Sequence, residues 1–214
     1  MIAIPIIQST LIASATASLG ALAAMALSGR DLTADTSPNT ARRLGLTLPP
    51  VAAALGAVWG WRCGLQAEPW DVLLLAAAAM GVLVTLATID ARCGLLPNRL
   101  NLTLALLGLA WAFLGHGHLW NLASALFLGG TGSLVLLIGR RWRGVDMIGM
   151  GDIKFLAMAG LWLPPWTVGW YMAGAGVMGV LTHVVLGRLE RNQAAPFGPA
   201  LCTALILALL ALHW

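Results

Sequence analysis

Eight apolar runs, each separated from the next by a short polar or glycine- and proline-containing stretch, constrain this chain more than any other feature. They lie near Pro5 to Leu27, Leu46 to Trp61, Val72 to Ile89, Leu100 to Leu114, Leu119 to Ile138, Val145 to Leu163, Val168 to Leu186 and Pro199 to Leu212. A helix needs roughly 20 apolar residues to cross a hydrocarbon core about 30 Å thick, so the pattern predicts an all-α polytopic membrane protein with about eight transmembrane helices. Composition agrees, with 59% hydrophobic and only 9% charged residues, a balance outside that of soluble domains. The whole chain, 1–214, reads as a single integral membrane domain with no internal repeat, and the polar stretch 28–43 reads as a short cytoplasmic loop. Ala13-Ser14-Ala15 looks like a signal-processing site, but no basic residue precedes it, so the first run is expected to be a retained helix.

Charge placement orients the runs. Every Lys and Arg except Arg62 follows an odd-numbered run or, like Lys154, lies near the start of the sixth, and cations accumulate in short cytoplasmic loops. The expected topology is therefore multi-pass in a lipid bilayer with both termini periplasmic. All tryptophans but Trp142 fall at or near the opposite ends of the runs, as an interfacial aromatic belt would. Cations distributed between apolar segments do not form a nucleic-acid footprint, and no glycine-rich phosphate loop follows a strand pattern, so no nucleotide site is expected. Cys63, Cys93 and Cys202 are scattered without C-x-x-C spacing, which predicts packing residues and no metal site.

Most of the acidic residues belong to polar stretches: Asp31 and Asp35 after the first run, Glu68 and Asp71 before the third, Glu190 after the seventh. Asp90 and Asp152 do not. Asp90 closes the third run, descending toward the cytoplasm, and Asp152 lies in the first two turns of the sixth, ascending from it. The topology thus puts both carboxyls at one cytoplasmic depth. Ionisable groups there are costly and usually face a cavity or one another. Two facing carboxyls titrate apart, leaving one acid and one carboxylate, which is the requirement of an aspartic peptidase dyad. Gly149-Met150-Gly151 precede Asp152 and predict an irregular start to that helix.

The competing readings are bland ones. Asp90 alone would read as a loop carboxylate capping a helix end, and Asp152 as an interfacial residue at a helix amino end. Asp146 is expected to pair with Arg143 or Arg141, with a role in the site as the alternative. Lys154 and Arg92, each two residues past an aspartate, are expected to reach toward the inner interface, and Pro97 and Asn98 to start the fourth helix by restricted backbone and N-capping. His116 and His118 read as a solvated outer turn, His183 as an interhelical hydrogen bonder, and Gly174, Gly176 and Gly179 as packing surfaces. A small proton- or cation-coupled transporter using Asp90 and Asp152 is the alternative function.

The segment Asp90-Ala91-Arg92-Cys93-Gly94-Leu95-Leu96-Pro97-Asn98 resembles the first motif of the type IV prepilin peptidases, and Gly149-Met150-Gly151-Asp152-Ile153-Lys154 resembles their second, G-x-G-D-x-K. Pro196-Phe197-Gly198-Pro199 is similar to a further family element, so the resemblance runs from about Val72 to Pro199. It implies a GxGD-type aspartyl protease bundle in the bacterial inner membrane that cleaves the basic leader of type IV pilin or pseudopilin precursors at the cytoplasmic face. Asp90 and Asp152 carry over as the catalytic pair, with Gly149, Gly151, Lys154, Pro97 and Asn98 as supporting motif residues and no metal or cofactor. Many bacterial members also N-methylate the product and carry a large insert with paired C-x-x-C motifs after the first helix. Here that position is held by Ser28 to Arg43, without a cysteine, so a compact, peptidase-only form is expected.

Overall fold

The computed structural model describes residues 3–32, 50–61, 69–114, 120–146, 148–187 and 197–211. The secondary structure of these residues is entirely helical. The eight helices are α1 (Ala3–Leu32), α2 (Pro50–Trp61), α3 (Trp70–Cys93), α4 (Asn98–Phe113), α5 (Trp120–Arg143), α6 (Met150–Gly160), α7 (Pro165–Gly187) and α8 (Gly198–Ala211). Two of them, α3 and α5, are long and apolar enough to cross a membrane by length and composition. The chain divides into two compact units, residues 1–93 and 94–214.

In the first unit three helices meet through small side chains. Ser9, Ala13, Ala17 and Ala21 recur at every fourth position of α1, and the three alanines are fully buried, forming one stripe because residues four apart share a helix face. Against it α2 sets Gly56 and Gly60, where an added Cβ would run into the α1 backbone at Ala13 and at Ser9 and Thr10. The Ser9 hydroxyl donates to the Gly60 carbonyl at 2.8 Å. From the other side α3 brings Gly81 onto Ala17 and Ala21. Backbones that approach this closely gain dispersion contacts that larger side chains would prevent, a packing mode suited to helices in an apolar solvent. Pro50 opens α2 at the position where its missing N–H costs nothing. Gly94, at φ 63°, ends α3 in the left-handed conformation, which glycine adopts without Cβ strain.

The second unit is built around α6. Gly160 lies so near Ser124 and Ala125 of α5 that a Cβ there would overlap backbone atoms, and Gly132 of α5 leaves room for Ile153 and Leu156. Asn121 donates its amide to the Leu161 carbonyl at 3.0 Å, satisfying a group freed where α6 ends. On the α4 side, Gly108 accommodates Leu161 and Trp162. The Trp162 indole packs on Trp111, centroids 5.5 Å apart, and donates to the Leu104 carbonyl at 3.2 Å. The α7 and α8 helices pack together, with Ala204 next to Gly174 and Phe197 against Gly179. One face of α5 carries Leu126, Phe127, Leu134 and Leu137, all more than half exposed, and contiguous exposed apolar side chains of this kind mark a surface that meets lipid or a partner.

Several expectations change here. The sixth run is not one helix from Val145 to Leu163: Gly144 (φ 67°) ends α5, Val145, Asp146, Ile148 and Gly149 are not helical, and α6 begins only at Met150 and stops at Gly160 before Pro164 and Pro165. Its 11 residues span about 16 Å, half a hydrocarbon core. The α1 helix runs to Leu32, through the first residues of the expected 28–43 loop; residues 33–49 of the chain lie outside the described residues. Trp59, Trp111 and Trp162 are fully buried, so these three are packing residues and not members of an exposed belt. Among the described residues nothing stands where a Gly176 side chain would be, unlike at Gly179. Arg62, Cys63, Glu68, His116, His118, Glu190 and Pro196, and the side chains of Asp31 and His183, lie outside the described residues.

Candidate active site

Asp90 belongs to the first unit. The expected helix end at Ile89 is passed by another turn, so Asp90 stands within the last turn of α3, beside Leu86 and Ile89, and is 4% exposed. A solvated loop carboxylate, the bland alternative, is therefore excluded. The carboxyl-terminal end of a helix carries partial negative charge and opposes an anion, which makes a buried acid there a costly choice for structure alone. Arg92, two residues on, is exposed.

Asp152 belongs to the second unit, in the first turn of α6. The N-cap is Gly149, in extended conformation (φ −69°, ψ 145°) and without a capping side chain. The Gly149 backbone N–H instead donates to the Asp152 carboxyl, and the carboxyl Oδ2 stands 3.2 Å from where a Gly149 Cβ would be. Glycine thus lets the carboxyl fold back over the helix start, as the G-x-G-D pattern anticipates. Asp152 is half-buried, at the end of a helix whose dipole favours an anion.

The remaining motif residues gather around the same turn. Leu96 packs on Gly151, whose absent Cβ would lie 3.3 Å from the Leu96 Cβ. Pro97 is buried and holds the N-cap position of α4 (φ −60°, ψ 126°), its carbonyl accepting from the Leu100 and Asn101 amides. Asn98 is the first helical residue and not the expected cap. Its side-chain carbonyl accepts a 2.9 Å hydrogen bond from Lys154 Nζ, so Lys154 is engaged in the protein and does not simply extend toward the interface. Gly149, Gly151, Asp152, Lys154, Pro97 and Asn98 therefore all meet in the second unit, while Asp90 lies in the first.

Asp146 pairs with Arg140 through both carboxylate oxygens, the Nη2 contact at 3.0 Å, and not with Arg141 or Arg143. Both partners are exposed, and the hydrogen bond from Arg140 holds the Asp146 carboxyl below its ordinary range. One residue carries no motif and escapes a reading of the sequence altogether. Tyr171, the single tyrosine of the chain, is buried on α7 and has no hydrogen-bond partner for its hydroxyl among the described residues. Its only signal in the sequence is a lone phenol within an apolar run.

Comparison with known proteins bears on this arrangement. The model of the type IV leader peptidase family matches residues 77–212, a span that includes both aspartates. The prepilin leader peptidase/N-methyltransferase of Burkholderia pseudomallei (strain 1026b) is 30% identical over 167 residues, covering 74% of this chain and 52% of that protein. Proteins of the same name from Dickeya chrysanthemi (32% over 160 residues; 66% of this chain, 52% of that protein) and Legionella pneumophila (28% over 210 residues; 90% and 66%) are also similar. The chain spans about half the length of the first two of these relatives. No solved structure matches. The transporter alternative finds no support among these relatives, and the chain belongs to the type IV leader peptidase family.

Proposed function

We propose that this protein is an aspartic endopeptidase of the bacterial inner membrane that removes the basic leader of type IV pilin or pseudopilin precursors at the cytoplasmic face, with Asp90 and Asp152 as its catalytic pair. The observation that carries the reading is the family match over residues 77–212, which contains a buried carboxyl on α3 and a glycine-framed carboxyl in the first turn of α6. The eight helices are read as a GxGD-type membrane bundle in one domain, with both termini periplasmic. The exposed apolar face of α5 supports a lipid surrounding.

In the reaction, one carboxylate accepts a proton from water as the water oxygen bonds to the scissile carbonyl carbon, and the protonated partner gives its proton to the carbonyl oxygen. The tetrahedral species then collapses: the carbon–nitrogen bond breaks, the leaving nitrogen gains a proton, and the pair returns to one acid and one carboxylate. No cofactor enters these steps. A precursor lying with its apolar segment in the bilayer and its cationic leader in the cytoplasm would bring the junction to this depth.

Incubation of the purified protein with a precursor bearing a basic leader tests the reading. The wild type shortens the precursor, and Asp90→Asn and Asp152→Asn each abolish cleavage while inserting normally, because an amide cannot exchange the proton. Processing at the wild-type rate by either variant removes that residue from the chemistry.

A further inference from the structure

Asp152 is bracketed. The residue before it, Gly151, is covered by Leu96, and the residue two beyond it, Lys154, is tied to Asn98 across 56 positions of sequence at 2.9 Å. Both partners come from one short segment, Leu96-Pro97-Asn98, whose middle residue is a buried proline with restricted backbone. Both ends of this strut are exposed, and an exposed hydrogen bond of this kind stabilises a fold little. Its geometry is more informative than its energy. The α6 helix starts after Gly149 without a side-chain cap hydrogen bond.

We propose that Lys154 is a positioning residue: by donating to Asn98 it clamps the first turn of α6 onto the Leu96-Pro97-Asn98 segment and sets the direction of the Asp152 carboxyl during cleavage. The role rests on the peptidase reading given above. Lys154 does not itself reach the chemistry, since a side chain two residues along a helix points away from Asp152. The Lys–Asn pair also joins the two sequence motifs physically. The asparagine that ends the first motif is the acceptor for the lysine that ends the second, which accounts for lysine at a position where a solvated helix surface would accept any polar residue. A catalytic group displaced by about 1 Å loses up to roughly a hundredfold in rate, so loosening this turn is expected to act on kcat.

The test is a double-mutant cycle on cleavage of a leader-bearing precursor, with Lys154→Met and Asn98→Leu singly and together. Each single substitution is expected to lower kcat by at least about tenfold with KM within about twofold. The double variant falls no further than the worse single. Asn98→Asp, which keeps an acceptor for the ammonium, is expected to retain most of the activity, and the limbs of the pH–rate profile stay where they are in the wild type. Additive losses, a Lys154→Met rate within twofold of wild type, or an Asn98→Asp variant as impaired as Asn98→Leu would each overturn the proposal. Hydrogen–deuterium exchange over Gly149 to Lys154 reads the clamp without substrate: exchange speeds up in both single variants if the clamp exists, and unchanged exchange refutes it. Absence of cleavage by the wild type, by contrast, counts against the peptidase reading and leaves the exchange result to decide the clamp.

Discussion

The carboxyl of Asp152 is held by an absence, the missing side chain of Gly149. A methyl group there would stand 3.2 Å from Oδ2, tighter than most packed contacts, so Gly149→Ala forces the carboxyl or the helix start to shift by a few tenths of an ångström. The expected outcome is a drop in kcat on the order of tenfold with near-normal folding, read by cleavage kinetics beside circular dichroism. Asp146 provides the opposite case. Its partner Arg140 holds it below the ordinary carboxylate range, so it is already ionised across the whole neutral and mildly acidic range. A carboxyl lowered in the folded state adds what stability it gives at higher pH and loses it only as pH falls through its folded value. Asp146→Asn is therefore expected to cleave within about twofold of wild type and to overlay its pH–rate profile above about pH 5; a displaced acidic limb would give Asp146 a part in the reaction.

Among the helices, packing depends on where glycine faces a neighbouring backbone. Gly160 meets the Ser124–Ala125 backbone with no space for a Cβ, whereas Gly176 has nothing near it among the described residues. The same substitution thus separates two kinds of glycine. Gly160→Val is expected to destabilise the protein by about 1–3 kcal/mol or more, because backbone cannot yield as a side chain can. Gly176→Val is expected to leave the thermal transition in detergent unchanged within error. Each run of the sequence overlaps one described helix, because apolar length and glycine or proline punctuation act locally. The sixth fits least well, since α6 takes up only part of it. Hydropathy alone merges Val145 and Ile148 with the helix that begins at Met150, since valine and isoleucine are apolar in a helix or out of it.

For the molecule as a whole, the peptidase reading carries a prediction about the product. Methyl transfer to a new amino terminus requires a donor pocket and a platform beside the amine, and the stretch between the first two apolar runs is short and without cysteine. The cleaved product is therefore expected to leave this protein with an unmodified amino terminus when S-adenosylmethionine is supplied. Mass spectrometry of product made by the purified protein decides it, a gain of one methyl mass being the contrary result.

Patterns that depend on neighbours along the chain are legible in the amino-acid order alone: eight helices, cations clustered after alternate runs, a glycine-framed aspartate in the second motif and a proline-restricted segment in the first. Each follows from local backbone preference or from the transfer of a segment between water and an apolar phase, and neither needs a partner distant in sequence. Partnerships require the folded chain. Asn98 reads as a cap and is an acceptor for Lys154; Asp146 reads as a partner of Arg143 or Arg141 and takes Arg140; Trp111 and Trp162 read as interfacial and stack inside a helix junction. A hydrogen bond or a ring contact is decided by distances of a few ångströms between residues that can lie tens of positions apart. Composition and spacing state which groups a chain possesses, and the packing of α4, α5 and α6 decides which of them meet.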